Sequence, residues 1–149
     1  MVWAAFSAKE KSKIAVLTGK QASEYYVYTL SKFLLLFAHL YYGTNYIFQH
    51  DNVSIPTSKL TAEIFEEQQV KVKKRPARSP DLNSIKNLWS ILAAKMYANG
   101  KQYYTVNELT ATISSKWVSF KSESLRNLVN SMPKRCIGVI ELRGNKTHY

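Results

Sequence analysis

Cysteine is almost missing from this chain, long apolar runs are absent, and acidic residues are scarce. The single cysteine, Cys136, excludes an internal disulfide and fits a reducing compartment. A zinc site of the Cys/His kind is excluded as well, because the three histidines have no ligand-like spacing and no second cysteine to join them. We expect the thiol of Cys136 to be buried as a structural group, since it lies among apolar residues on a predicted helix.

The most apolar stretch of the chain, residues 25–42, contains too few consecutive apolar residues to cross a membrane. Its unbroken apolar run covers only residues 33–38, which predicts a buried helix and no membrane partner. Hydrophobic residues make up 46% of the chain and charged residues 21%, an ordinary balance for a globular protein. We therefore expect a single compact domain over residues 1–149.

The charge balance points to an acidic partner. Lys and Arg total 21 against 10 acidic residues, which gives a net charge of +11 and an isoelectric point of about 9.7. A surplus of this size favours polyanions, with nucleic acid first and an anionic membrane surface second. The alternative is that the cations are merely solvated.

The patterning predicts strands alternating with helices, followed by a helical tail. Strands are expected at 2–6, 14–17, 46–49 and 70–72, the first two as a hairpin. A helix capped by Ser23 runs to about residue 42, where Gly43 breaks it, and another follows Pro56. In the tail, buried stripes mark helices from 85 to about 99, from 105 to 117 and from 125 onward. Thr105 and Glu108 form a capping box, and Pro133 kinks or ends the last helix.

Two segments contain candidates for chemistry. Residues 48–52, Phe-Gln-His-Asp-Asn, form an apolar strand that places the carboxylate of Asp51 at its end. Residues 75–89 form a proline-rich loop that runs into a helix. A carboxylate at a strand end that faces a helix start is able to hold a divalent cation. The simpler interpretation, in which Asp51 only forms a turn with its own backbone, stays open from the residues alone.

These segments resemble the signature blocks of Tc/mariner-superfamily transposases, which are DDE recombinases with an RNase H-like fold. The family block Phe-Gln-Gln-Asp-Asn-Ala-Pro-x-His is similar to residues 48–56. The block Trp-Pro-Ala-Arg-Ser-Pro-Asp-Leu-Asn-Pro-Ile-Glu-Asn-Leu-Trp is similar to residues 75–89. Further blocks match residues 2–7, 97–100 and 131–135, so the resemblance covers nearly the whole chain.

The resemblance implies an α/β fold with a mixed sheet flanked by helices. Strands and helices would occupy about residues 1–83, and a helical tail about residues 84–144. The family's first strand, which carries its first catalytic carboxylate, precedes the block at residues 2–7. We therefore expect an N-terminally truncated catalytic domain from which that strand is missing.

The resemblance also implies a mechanism. In the family, three carboxylates hold two Mg²⁺ (or Mn²⁺) ions that promote DNA strand cleavage and transfer. Asp51 matches the second carboxylate, and thirty-four residues lie between it and Lys86, the position of the third. DNA is the implied partner, the nucleus the implied location, and a homo-oligomer is possible for the full-length family.

Lys86 departs from the family pattern, because it places an ammonium group where the family has its catalytic Glu. At an effective dielectric of about 20, a unit charge pair at 4 Å is worth about 4 kcal/mol, and here attraction to a cation has become repulsion. Lys86 also opposes the helix dipole at the third helical position after the expected cap Asn83, where an acidic residue is favoured. We expect metal binding through Asp51 to be impaired and the chain to be inactive in cleavage.

Two alternatives to a decayed enzyme fragment remain. The chain could be a non-catalytic nucleic-acid-binding module, or a relic that does not fold stably. For binding, the basic run Lys71, Lys73, Lys74, Arg75 and Arg78 is a candidate groove that follows phosphates, and a solvated edge strand guarded by lysines is the competing interpretation. Tyr103 and Tyr104 are candidates for stacking on bases, with ordinary packing as the commoner role.

Overall fold

The computed structural model describes residues 1–19, 22–50, 59–73 and 82–142. Its chain contacts group into two compact units. The first unit consists of Met1–Ala5 and Lys11–Arg78, and the second of Phe6–Glu10 and Ser79–Tyr149. The prediction of one domain over residues 1–149 stays a prediction, and each unit is described below by itself.

Four short strands and three helices are present in the described residues of the first unit. In chain order they are β1 (Val2–Trp3), β2 (Ala15–Val16), α1 (Ser23–Thr29), which continues through a π-helical segment (Leu30–Leu35) into α2 (Leu36–Tyr42), β3 (Ile47–Phe48), α3 (Lys59–Glu67) and β4 (Lys71–Val72). The expected hairpin is confirmed, because β1 pairs antiparallel with β2 in the register Val2↔Val16 and Trp3↔Ala15. The strands β3 and β4 pair in parallel.

The long helix of the first unit buries one residue in every four. The buried residues spaced four apart are Tyr26, Leu30, Leu34 and Ala38. In a regular α-helix with 3.6 residues per turn, residues with this spacing shift gradually around the helix and do not stay on one side. The wider π-helical segment keeps the row facing the core. Ala22 and not Ser23 occupies the N-cap position, so that expectation was wrong. Gly43 ends α2 with φ 59°, as expected for a residue without a Cβ.

The core of the first unit joins both strand pairs to the long helix and α3. Its buried members are Ala5, Tyr26, Leu30, Leu34, Leu35, Phe65 and Val70, with Trp3, Tyr46 and Phe48 packed against them. Burial raises the pKa of Tyr26 to about 12, although a hydrogen bond with Trp3 works in the opposite direction. Burial also raises the pKa of Tyr46, whose hydroxyl finds no hydrogen-bond partner in the described part of the chain.

The second unit is helical where it is described beyond residue 82. It contains α4 (Ser84–Met96), a 3₁₀ turn (Ala98–Gly100), α5 (Val106–Val118), α6 (Ser122–Asn130) and α7 (Met132–Glu141). Both α5 and α6 pack on α4. The predicted stripes are confirmed by a core of Leu88, Leu92, Met96, Ile113, Trp117, Phe120 and Leu125. Trp89 stacks on Trp117 with 5.3 Å between ring centroids.

Local signals in the second unit are mostly, but not fully, as expected. The Glu108 backbone N–H donates to Thr105 Oγ1 at 3.1 Å, which is one half of the predicted capping box. The Glu108 carboxylate accepts from the backbone N–H of Tyr104 instead of that of the cap. Pro133 lies in the first turn of α7, where its missing N–H costs little, so the break falls at Ser131.

The expectation of a buried Cys136 was wrong. Cys136 is exposed on α7, and the residue before it, Arg135, is buried with 4% of its surface exposed. Adjacent residues of a helix point about 100° apart, so the residue that faces inward turns its neighbour toward solvent. The hydrophobic pattern did not reveal this orientation, because the inward residue is a charged one.

Candidate functional site

The strand that leads to Asp51 is anchored by aromatic packing. The Phe48 ring lies 5.7 Å from that of Phe65 on α3, and the His50 ring lies 5.7 Å from Phe48 and 6.1 Å from Phe65. These contacts fix the chain of the first unit as far as residue 50. Asp51 follows directly in the sequence and lies outside the described residues.

The basic run begins on the strand beside β3. Ile47 pairs with Lys71 and Phe48 with Val72, and the Lys73 N–H donates to the carbonyl of Phe48 at 2.8 Å. Lys71 and Lys73 are both exposed, whereas Lys74, Arg75 and Arg78 lie outside the described residues. Val70 is buried directly before the strand begins, whereas Val72 within it is 36% exposed.

Lys86 is an exposed residue in the first turn of α4. Ser84 is the first residue of the helix, so Lys86 occupies its third position, as the sequence predicted. The first turn of α4 contains no acidic residue. Asn83 stands at the predicted N-cap position and is buried, but its side chain makes no capping hydrogen bond. The Asn83 carbonyl instead accepts from the Lys86 N–H at 3.0 Å.

A buried hydrogen-bond network holds the residue that follows Lys86. Arg135 Nη1 donates to Asn87 Oδ1 at 2.5 Å, and Arg135 Nε donates to Ser131 Oγ at 2.8 Å. The Ser131 hydroxyl in turn donates to the carbonyl of Leu128 at 2.7 Å. The first turn of α4 is therefore tied to the start of α7, across 48 positions of sequence.

Sequence reasoning missed Arg135 as a structural residue near the candidate site. The residue was already visible inside one of the blocks of resemblance, residues 131–135, but nothing local linked that block to the one at residues 75–89. A buried guanidinium needs hydrogen-bond acceptors. Had Arg135 been taken as buried, the side chains of the block at residues 75–89 would have been candidates for those acceptors.

The residues described do not fit a divalent cation of the family type. Mg²⁺ and Mn²⁺ prefer hard oxygen ligands, whereas the Lys86 ammonium offers three donors and no acceptor. Within the described ranges, no group of three or more Asp, Glu, His or Cys side chains is placed to hold a metal ion.

No helix in the described part of the chain is both long and apolar enough to span a bilayer.

A family model of the DDE superfamily endonucleases matches residues 2–110. The chain belongs to this family, in its Tc/mariner transposase branch. It is 38% identical to the transposable element Tc3 transposase of Caenorhabditis elegans over all 149 residues, and 30% identical to the Tcb1 transposase of Caenorhabditis briggsae. It covers 45% and 54% of these relatives, so the chain spans about half the length of the curated transposases that it matches.

Solved structures of the Mos1 mariner transposase share the fold. The Mos1 catalytic domain superposes with a TM-score of 0.86 at 15% identity, over 99% of this chain and 75% of that one. A Mos1 paired-end complex with Mn superposes with a TM-score of 0.87 at 16% identity, over 99% of this chain and 44% of that one. These likenesses confirm the predicted RNase H-like α/β fold.

Proposed function

We propose that this chain is part of a Tc/mariner transposase catalytic domain that binds DNA and does not cut it. The observation that carries the proposal is Lys86: an exposed ammonium at the third position of α4, in a first turn that has no acidic residue. In the family pattern this position supplies a carboxylate to the metal ions.

The inactivity follows from electrostatics. A carboxylate lowers the free energy of a nearby divalent cation, whereas an ammonium raises it, and each contribution is about 4 kcal/mol per unit of cation charge at 4 Å and an effective dielectric of about 20. Asp51, at the second carboxylate position, cannot by itself replace the missing ligand, because phosphoryl transfer by two metals needs several hard oxygen ligands. In this proposal Asp51 occupies the position of the family's second metal ligand. Lys86 occupies the position of the third, where it replaces the family's Glu.

DNA binding follows from the charge of the chain and from its relatives. The net charge is +11, and the exposed Lys71 and Lys73 begin a run that continues in sequence with Lys74, Arg75 and Arg78. Each phosphate contact made by a lysine or arginine releases counterions and increases the salt dependence of binding. A Mos1 structure in which that transposase forms a paired-end complex with a left transposon end has the same fold. The proposed location of such a protein is the nucleus.

The test combines binding and cleavage on the same protein samples. We expect the chain to bind duplex DNA at low salt and to leave supercoiled plasmid intact with Mg²⁺ or Mn²⁺. Replacing Lys71 and Lys73 with Gln is expected to reduce the slope of log affinity against log salt by about 1.8, at about 0.9 per phosphate contact. Lys116 and Lys134, replaced in the same way, are the matched control pair and should leave the slope unchanged. Metal-dependent nicking by the unaltered chain contradicts the inactivity, and absence of duplex binding contradicts the partner.

The variant Lys86→Glu separates the lost ligand from the rest of the site. We expect it to fold normally and to gain about 0.3–1 kcal/mol of stability, because an acidic residue suits the positive end of the α4 dipole. It should nevertheless not cut DNA, because within the described ranges no group of three or more Asp, Glu, His or Cys side chains is placed to hold a metal ion that the restored carboxylate could join. Metal-dependent nicking by Lys86→Glu alone would refute this expectation.

A further inference from the structure

A cluster of tyrosines at the turn between α4 and α5 is unusually exposed. We call it the tyrosine turn and define it as Tyr97, Lys101, Tyr103 and Tyr104. Tyr104 is 87% exposed and Tyr97 is 54% exposed, although both rings are large and apolar. Isolated surface aromatics are ordinary, but here two of them belong to one short turn that also contains an anchored third ring and a cation.

Tyr103 anchors the tyrosine turn. Its hydroxyl donates to the Met96 carbonyl at 2.7 Å, and its ring lies 5.6 Å from that of Tyr97 in an edge-to-face arrangement of 79°. The Lys101 ammonium lies 5.0 Å from the centre of the Tyr103 ring. Tyr103 is therefore a packing residue, which decides against a base-stacking role for it and leaves Tyr97 and Tyr104 with exposed ring surface.

The backbone of the turn holds these rings in place. Asn99 and Gly100 both adopt positive φ, 59° and 70°, which reverses the chain directly after α4. On the other side, the Tyr104 N–H donates to Glu108 Oε2 at 3.3 Å, and Thr105 caps α5. Tyr104 is thus fixed in its backbone while its side chain faces solvent, an arrangement that reduces the entropy lost when the ring is engaged.

The local charge favours an anionic ligand. Glu108 is the only carboxylate between residues 84 and 118, a stretch that also contains Lys86, Lys95, Lys101 and Lys116. Its Oε1 lies 3.9 Å from the Lys101 ammonium, and Lys95 lies 4.4 Å over the ring of Phe120. Since Glu108 already faces Lys101 and a backbone donor, the tyrosine turn presents aromatic surface in a basic neighbourhood.

We infer that the tyrosine turn binds unpaired bases of single-stranded DNA, with Tyr104 as the stacking platform, Tyr97 as a second aromatic contact and Lys101 near the phosphates. Exposed aromatic rings combined with cations are the usual surface for single strands, because every base has a π-face that a ring is able to cover. In a duplex those faces are hidden by neighbouring base pairs. The inference rests on the proposed function, to which it adds the strand state of the DNA that is bound.

The experiment compares a fluorescein-labelled oligothymidine with a duplex of the same length, both titrated with the full chain. Tyr104→Ala is expected to weaken single-strand binding about 10-fold, within the range of base stacking, and to leave duplex binding and the salt slope unchanged. Tyr104→Phe keeps the ring and should keep the affinity. Tyr25→Ala, which removes a 64% exposed tyrosine of the first unit, is the matched control and should have no effect.

A spectroscopic readout tests stacking directly. In Tyr104→Trp, the indole fluorescence should be quenched by oligothymidine in excess of any quenching seen in the unaltered chain. Unchanged single-strand affinity in Tyr104→Ala, or an equal loss in Tyr25→Ala, overturns the inference. Lack of duplex binding by the unaltered chain counts against the proposed function instead, so the two failures are distinguishable.

Discussion

The two units of the chain bury different polar groups beside otherwise similar apolar cores. The first unit encloses phenols: Tyr26 is 8% exposed within its core, and the Tyr46 hydroxyl is buried. The second unit encloses a guanidinium, that of Arg135, which is 4% exposed and donates to Asn87 and Ser131. The buried phenols are neutral groups at pH 7, whereas the buried guanidinium is a cation that donates hydrogen bonds to two side chains.

Because the buried polar groups differ, different conditions and substitutions should destabilise the two units. A buried phenol is neutral at pH 7 and costs little to bury in that form, but its ionised form is strongly disfavoured by desolvation. A buried guanidinium carries a charge that is costly to bury without hydrogen-bond acceptors, so the second unit depends on keeping those hydrogen bonds. We therefore expect the first unit to be sensitive to alkali and the second to be sensitive to the loss of a single acceptor or donor.

The largest effects should come from matched cavities in the two cores. Leu30 and Leu88 are both 0% exposed, the first in the π-helical segment and the second in the regular helix α4. Large-to-small changes of this kind cost about 2–5 kcal/mol, depending on how far the site collapses. We expect Leu88→Ala to destabilise the protein more than Leu30→Ala. The stacked indoles that border the α4 core are rigid, so the surroundings relax less into the cavity.

Urea unfolding followed by circular dichroism measures both costs. Leu40→Ala, at a residue that is 78% exposed, is the control and should change the free energy of unfolding by less than about 0.5 kcal/mol. If Leu30→Ala proved the more damaging of the two buried changes, the proposed contrast in packing between the units would be incorrect.

Alkaline unfolding should depend on Tyr26. Its folded pKa of about 12 exceeds the ordinary value of 10, so the folded state holds its proton where the unfolded state has lost it. The contribution is fully present below about pH 10 and is lost as the pH rises through 12, a change of about 2.7 kcal/mol at 1.36 kcal/mol per pKa unit. Tyr26→Phe should flatten this decline in urea midpoints measured from pH 9 to 12, and the exposed Tyr25→Phe should not. Equal slopes in all three proteins would exclude Tyr26 as the cause.

A smaller effect is expected from Arg135→Lys in the second unit. The charge is retained, but a lysine lacks the planar fork that reaches Asn87 and Ser131 together, so a cost of about 1–2 kcal/mol follows. Thermal unfolding measures it, and Lys134→Ala, at the exposed neighbouring residue, is the comparison. If the two variants lost equal stability, the buried network would have no special weight.

Much of the helical region was predictable from sequence because its signals are local. The stripe of Leu88, Leu92 and Met96 fixes the inward side of α4, and Thr105 starts α5 through its own hydroxyl. The cap at Ser23 was predicted wrongly, whereas Asn83 occupies its predicted N-cap position without a side-chain capping bond. Contacts with distant parts of the structure decide whether the side chain of such a residue accepts a hydrogen bond from the first turn of its own helix. Asn83 is buried and does not accept one.

The candidate site was predictable in composition but not in arrangement. The block around Lys86 identified the family and the substituted ligand position, since both are matters of residue order. The link from Arg135 to Asn87 was invisible, because it joins residues 48 positions apart and depends on how α7 packs. Asp51, Lys74, Arg75 and Arg78 lie outside the described residues, so their roles stay predictions.

The order of residues alone determined the family, the basic character of the chain and the ammonium at position 86, because each of these depends on identity and spacing along one segment. Tertiary packing decided that the long helix widens into a π-helical segment, that Arg135 is buried while Cys136 is exposed, and that Tyr104 faces solvent beside an anchored Tyr103. These outcomes depend on which distant side chains compete for the same interior space.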